Sequence, residues 1–100
     1  MPESSAPADW ERRERAFRGI SRRLAAHYLS NLGGEFVDAD DAESATEIAG
    51  DDWRVSLADD TVRIGPSLTL TEITVTFDGE PGVLDRLVED FARKAMRAGG

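Results

Sequence analysis

The chain has 100 residues, a length that suits one domain with a single hydrophobic core. Forty per cent of the residues are hydrophobic, as in a folded globular protein, and the net charge of −8 argues against binding to nucleic acid or to anionic membranes. No apolar run is long enough to span a bilayer, and no cysteine is present for a disulfide, a thiol nucleophile or a thiolate metal site. We expect a flexible tail over residues 1–9, which contain Pro and Ser, and one domain over residues 10–100.

The first predicted element is an amphipathic helix that begins at Trp10. Asp9 is a suitable N-cap, and Gly33 is suited to end the helix because glycine adopts the left-handed conformation after a C-cap. Gly19 lies inside this predicted helix, where it costs about 1 kcal/mol relative to Ala. The apolar residues recur at helical spacing and form one stripe: Trp10, Phe17, Ile20, Leu24, Tyr28 and Leu32.

After Gly34, short segments with alternating apolar residues and frequent turn residues predict an antiparallel meander. The candidate strands cover residues 35–38, 45–49, 53–57 and 61–64. Residues 53–57 alternate most clearly and place Trp53 on the inward side of the sheet. Asp59-Asp60 fits a tight turn between the last two of these strands.

The last predicted strand, residues 68–77, changes its apolar phase. Its apolar residues stand first at even and then at odd positions: Leu68, Leu70, Ile73, Val75 and Phe77. Because successive side chains of a strand point to opposite faces, we predict a β-bulge near Thr71-Glu72. A sharp bend at the same place is the alternative.

Asp78-Gly79 predicts a turn, and Pro81 suits the first position of a second helix because the N–H that proline lacks has no partner there. The apolar stripe of this helix consists of Val83, Leu84, Leu87, Val88, Phe91 and Ala95. The predicted order is therefore α-β(4–5)-α. We expect an α+β two-layer sandwich, an antiparallel meander with both helices on one face.

The sequence contains few groups suited to catalysis. His27 is the only histidine, and its position at the edge of the first apolar stripe favours a structural or surface role. The serines lack a G-x-S-x-G setting, and neither a P-loop nor a G-x-G-x-x-G motif is present. We expect no enzymatic activity and no cofactor.

The acidic residues 38–43 raise the question of a cation site, because hard cations bind several carboxylates from one loop. The segment fails the EF-hand pattern, since it lacks both the glycine at the sixth loop position and the glutamate at the twelfth. A solvated loop is the simpler interpretation, and we predict no metal site.

Residues 10–32 carry six Arg and two Glu, so this segment is positive in an acidic chain. One interpretation is an anion-binding face that contacts a phosphate or an acidic protein. The other is the solvent-facing side of an amphipathic helix, braced by i,i+4 pairs of Glu11 with Arg15 and of Glu14 with Arg18. The candidate anion ligands are Arg12, Arg15, Arg22 and Arg23.

An exposed sheet face or edge gives a second candidate surface. The threonine-rich strand 68–77 and Trp53 would pair or stack with a second copy if the meander has an open side. Burial of Trp53 in the core is the alternative. A protein partner, or the chain itself as a homodimer, is the predicted kind of contact.

The chain ends in Gly99-Gly100, the kind of terminus that ubiquitin-like modifiers and sulfur carriers use for activation. Such a terminus threads a narrow channel that only residues without a Cβ can enter. In those β-grasp proteins the two glycines follow a strand, whereas here a helix is predicted almost up to Gly99. A glycine C-cap is therefore the alternative interpretation.

Eleven of the twelve basic residues are Arg, and Asp-Asp pairs recur at positions 40–41, 51–52 and 59–60. A surface rich in short carboxylates and poor in Lys is suited to concentrated salt, where charges are screened within a few ångströms. We therefore predict a halophilic origin. The N-terminus lacks the basic flank and apolar stretch of a signal peptide, which predicts a cytoplasmic protein.

The element order, the acidic character and the C-terminal segment 85–100 resemble a small domain found at the C-terminus of MoaD-related proteins, which are connected with molybdopterin biosynthesis. That domain also occurs as a stand-alone haloarchaeal protein. The resemblance implies a fold similar to half of a TATA-binding-protein saddle. It also implies an association with molybdopterin or sulfur-carrier biology, although the β-grasp part of such proteins is missing here.

Three hypotheses follow. The first is a non-catalytic domain that acts through protein contacts. The second is a carrier or modifier that uses the two terminal glycines. The third is a protein that holds a small anionic ligand on its arginine face or in a pocket between sheet and helices.

Overall fold

The computed structural model describes residues 9–99, and the side chains of residues 9–97. Within this range the elements follow the order β-α-β-β-β-β-α, which is an α+β architecture as expected. The elements are β1 (Glu11–Arg18), α1 (Arg22–Asn31), β2 (Glu35–Phe36), β3 (Glu47–Gly50), β4 (Trp53–Arg63), β5 (Thr69–Gly79) and α2 (Pro81–Gly99).

All five strands form one antiparallel sheet in the order β1-β5-β4-β3-β2. Strands β2 to β5 form the predicted antiparallel meander, except that the two predicted strands 53–57 and 61–64 are one strand, β4. Strand β1 adds to the edge of the meander by pairing with β5 from Glu11↔Gly79 to Arg18↔Glu72. The two longest strands, β4 and β5, therefore occupy the middle of the sheet.

Both helices cover the same face of this sheet, as predicted, and their apolar residues meet those of the strands. Phe91 of α2 lies at the centre, with edge-on ring contacts to Phe17, Tyr28 and Phe77 at centroid distances of 5.1, 6.1 and 5.9 Å. The buried residues that the strands contribute are Ile48, Trp53, Val55, Leu57, Ile73, Val75 and Phe77. The predicted burial of Trp53 in the core is confirmed.

The prediction of one helix from Trp10 to Leu32 is wrong in its first half. Residues 11–18 form β1, which removes the expected Asp9 cap and the i,i+4 pairs of Glu11 and Glu14. Gly19 has a φ of +89°, which separates strand from helix. The hydroxyl of Ser21 then accepts a hydrogen bond from the Leu24 N–H at 3.0 Å, so Ser21 is the N-cap of α1.

The acidic segment between β2 and β3 is held to the body of the protein by its own side chains and by Arg22. The carboxylate of Asp38 accepts hydrogen bonds from the backbone N–H and the hydroxyl of Thr46. These bonds, the hydroxyl one first, lower the pKa of Asp38 below its ordinary value. Arg22 donates to the carbonyl oxygens of Ala45 and Glu43, so α1 is tied to the same segment.

Strands β4 and β5 pair without interruption from Trp53↔Gly79 to Arg63↔Thr69. The predicted bulge near Thr71-Glu72 is therefore absent from the paired residues. Asp59 and Asp60 lie inside β4 rather than in a turn, and the chain reverses over residues 64–68, where the Ile64 N–H bonds to the Leu68 carbonyl at 2.8 Å. The predicted Asp78-Gly79 turn is likewise the end of β5.

The second helix begins at Pro81, as predicted. The carboxylate of Glu80 accepts a hydrogen bond from the Val83 N–H at 3.0 Å and so caps its first turn. Arg13 of β1 donates to Asp85 at 2.6 Å and thereby joins the edge strand to this helix.

Candidate interaction surface

The β4–β5 hairpin extends beyond the two-layer body. We call residues 58–72 the hairpin tip, because the last buried residue of β4 is Leu57 and the first of β5 is Ile73, with none between them. Six residues of strand beyond Leu57 add about 20 Å of length. The molecule accordingly measures 46 Å along its long axis and 26 and 23 Å across.

At the hairpin tip the apolar side chains change from one face of the sheet to the other. In the body the odd-numbered residues of β4 and β5 are apolar and face the helices. In the tip the odd positions are polar, and the apolar residues stand at even positions, on the face opposite the helices. We call that row the apolar patch: Val62, Ile64, Leu68 and Leu70.

Three of the four residues of the apolar patch are open to solvent, and Val62 is half-buried. Ile64, Leu68 and Leu70 are 42%, 56% and 38% exposed, and they account for three of the five exposed large hydrophobic residues among those described. Their clustering makes this row a candidate contact surface. The sequence shows a change of phase in residues 68–77, for which a bulge near Thr71-Glu72 or a sharp bend is the prediction, whereas the strand is regular there.

Acidic residues border the apolar patch on the side of the body. Asp60 stands directly opposite Glu72 in the β4–β5 register. Glu72 accepts a hydrogen bond from Arg18 at 3.1 Å, whereas Asp60 has no ion pair within the described residues. Asp60 is therefore the carboxylate at this border that is open to a cationic group from outside.

The rest of the face opposite the helices is polar. Its three guanidinium groups are already paired, Arg12 with Asp78, Arg18 with Glu72 and Arg54 with Glu47. These contacts raise the pKa of Arg12 and Arg54, in each case mainly through the side-chain hydrogen bond, so both remain charged. The carboxylates of this face that lack an ion pair among the described side chains are Glu14, Glu35 and Asp60.

The structure does not bring the four predicted anion ligands together on one face. The first half of the predicted helix is strand β1, so two of the arginines lie on a strand and two on a helix. Arg12 and Arg15 lie on opposite faces of β1, since their positions differ in parity. Arg22 and Arg23 belong to α1. The guanidinium of Arg22 is engaged by backbone carbonyls, so this residue fixes a loop.

A different arginine lines a pocket formed by the described residues. The pocket has a volume of about 300 Å³ and lies between the end of α1 and the beginning of α2. Trp53 and Leu87 form its apolar floor, and Arg86 and Asp90 stand at its rim. Sequence reasoning did not select Arg86, because it stands on the exposed side of α2 among other charged residues.

The remaining candidate residues from the sequence are a histidine, the acidic loop and the terminal glycines. His27 is exposed on α1. No group of three His, Asp or Glu residues in the described part of the chain is arranged to hold a metal ion, and Asp38 and Asp41 bind backbone N–H groups of their own loop. Gly99 lies in the last turn of α2, and Gly100 lies outside the described residues.

Comparison with known proteins gives a family. The sequence model of a family described as archaeal MoaD-like protein matches residues 13–100. No curated protein and no solved structure matches the chain significantly. The similarity to half of a TATA-binding-protein saddle therefore stays a prediction. No helix within residues 9–99 is long and apolar enough to cross a membrane.

Proposed function

Since the chain belongs to the archaeal MoaD-like family, we propose that it is a non-catalytic protein-interaction domain that serves molybdopterin or sulfur-carrier biology. The observation that carries the proposal is the apolar patch on the hairpin tip. It is a row of large aliphatic side chains that the body of the protein leaves uncovered. A partner that covers this row removes apolar surface from water at about 25 cal/mol per Å².

Two features support a contact role over catalysis. The described residues include no buried polar or charged side chain, whereas catalytic acids and bases are commonly tuned by burial. The single histidine is exposed, without a hydrogen-bond partner among the described side chains. The tip, by contrast, carries a cluster of apolar side chains that are exposed to solvent, which is typical of a contact surface.

A replacement in the organism that carries this chain tests the proposal. We expect Leu68→Thr with Leu70→Thr to lower the cellular content of molybdopterin cofactor, while the amount of the variant protein stays normal. The matched control is Val37→Thr with Met96→Gln, two residues that are 47% and 73% exposed outside the tip. An unchanged cofactor content in the tip variant contradicts the proposal.

The C-terminal glycines support a second candidate, a carrier or modifier that is activated at its terminus. The matched region of the family extends to residue 100, so it includes Gly99 and Gly100. Incubation with ATP and an activating enzyme, followed by intact mass spectrometry, would then yield an adenylate, a thiocarboxylate or a conjugate. Removal of Gly100 has to abolish the product, and its persistence contradicts this candidate.

A further inference from the structure

We propose that the partner covering the apolar patch is a basic protein, whose own apolar side chains are bordered by Lys or Arg. The inference rests on the proposed function and adds the chemistry of the partner. Three observations support it: the composition of residues 1–8, the charge of the sheet face around the patch, and the unpaired carboxylate at the border of the patch.

Residues 1–8 are unsuited to cover the patch. Apart from Met1 they contain only Pro, Glu, Ser and Ala. They precede β1, whose first residue pairs with Gly79 at the opposite end of β5 from the tip, about 30 Å from Leu70.

A second copy is disfavoured by charge. Face-to-face stacking of two copies would bring the acidic residues of this face together. Every Arg that the described strands place on this face is matched by a carboxylate, so among these residues neither copy has a free cation for Glu14, Glu35 or Asp60 of the other. Like charges facing each other across an interface cost several kcal/mol, which is a means of excluding a partner.

The same arrangement favours a cationic partner. Asp60 stands at the border of the patch, beside Glu72 and without an ion pair among the residues described. A Lys or Arg placed there gains the carboxylate of Asp60 as a partner. The aliphatic row then supplies the apolar part of the contact.

Binding of three short peptides, each about eight residues long to match a strand, tests this inference. The first has a central run of Val flanked on both sides by Lys, the second the same run flanked by Glu, and the third a central run of Gly flanked by Lys. Fluorescence anisotropy of labelled peptide gives the affinity. We expect the Val–Lys peptide to bind about tenfold or more tightly than either of the others, since only it has both the apolar and the cationic groups.

Variants locate the site. We expect Leu68→Thr with Leu70→Thr to weaken binding of the Val–Lys peptide about tenfold or more. Asp60→Asn weakens it less and reduces the loss of affinity on going from about 0.1 M to about 1 M KCl, because the screened contact is gone. Val37→Thr leaves the affinity unchanged.

Two results would overturn the inference while leaving the tip as a contact surface. One is equal binding of the Val–Glu peptide. The other is a dimer in sedimentation velocity that the Leu68→Thr, Leu70→Thr variant abolishes, since the occupant would then be a second copy. Failure of the proposed function is separate, because it appears as unchanged cofactor content in cells whether or not the peptide binds.

Discussion

The body of the sheet and the hairpin tip are parts of the same two strands, yet they place their apolar residues on opposite faces. In the body, β4 and β5 direct aliphatic and aromatic side chains toward the helices, where they are buried. In the tip, the same unbroken register directs Val62 and Leu70 to the other face. One strand can therefore have two apolar faces, one that is buried and stabilises the body and one that stays exposed at the tip, where we propose a contact.

The largest expected effect in the body comes from Phe91, the ring that Phe17, Tyr28 and Phe77 all contact. Phe91→Ala should lower the free energy of unfolding by about 3–5 kcal/mol, because it leaves a cavity in the core. Denaturation by urea measures this value. Met96→Ala on the same helix is the exposed control, and a loss as small as that of the control would show that the core is not organised around Phe91.

A smaller effect is expected where the body meets the tip. Arg22 is bonded to the carbonyl oxygens of Ala45 and Glu43, and its Nε lies 4.0 Å from Asp59. Arg22→Gln should cost about 1–2 kcal/mol of unfolding free energy, since it leaves these groups without a charged donor. Exposed Arg23→Gln is the matched control, and equal losses for the two variants would contradict the assigned role of Arg22.

The loop carboxylate gives a pH-dependent effect. Hydrogen bonds from Thr46 lower the folded-state pKa of Asp38 below its ordinary value of 3.8. Its contribution to stability is therefore fully present above that pH and is lost as the pH falls through the lower folded-state value. The difference in Tm between the wild type and Asp38→Asn should be constant near neutral pH and shrink below about pH 4. Asp40→Asn should lack this pH dependence.

The smallest effect is expected in the tip. Leu68→Thr with Leu70→Thr should change the free energy of unfolding by no more than about 0.5 kcal/mol, because both side chains are exposed and Thr suits a strand. Urea denaturation alongside Phe91→Ala measures the contrast directly. A loss of several kcal/mol would mean that the apolar patch is buried in solution.

Much of the body follows from periodicity in the sequence. The alternation of Trp53, Val55 and Leu57 and the helical spacing from Val83 to Ala95 identified the residues that meet in the core. Both periods are imposed by the backbone, so they hold wherever one side of an element is buried. The α+β class and the placement of both helices on one face could therefore be predicted.

The first strand could not be predicted in this way. Residues 11–18 consist of Glu, Arg, Ala and one Phe, which have mostly high helix propensity. Their extended conformation depends on pairing with β5, which is more than fifty residues away in the sequence. Gly19 and Ser21 are a turn glycine and a helix cap, but the helical spacing of Phe17, Ile20 and Leu24 concealed that boundary.

The candidate surface was visible in the sequence only as an irregularity. A change of apolar phase is compatible with a bulge, which keeps all the residues in one core, and with a regular strand that has two apolar faces. Register decides between them, and register depends on the turn. Here residues 64–68 form the turn, rather than Asp59-Asp60, so β4 continues without a break into the tip.

The central position of β4 and β5 has a mechanical consequence. Both helices contact these strands, and the same strands continue into the tip, so one unbroken ladder of paired residues joins the tip to the middle of the protein. We therefore expect a molecule that binds at the tip to change the rate of amide hydrogen exchange at Val55 and Val75, although it contacts neither residue.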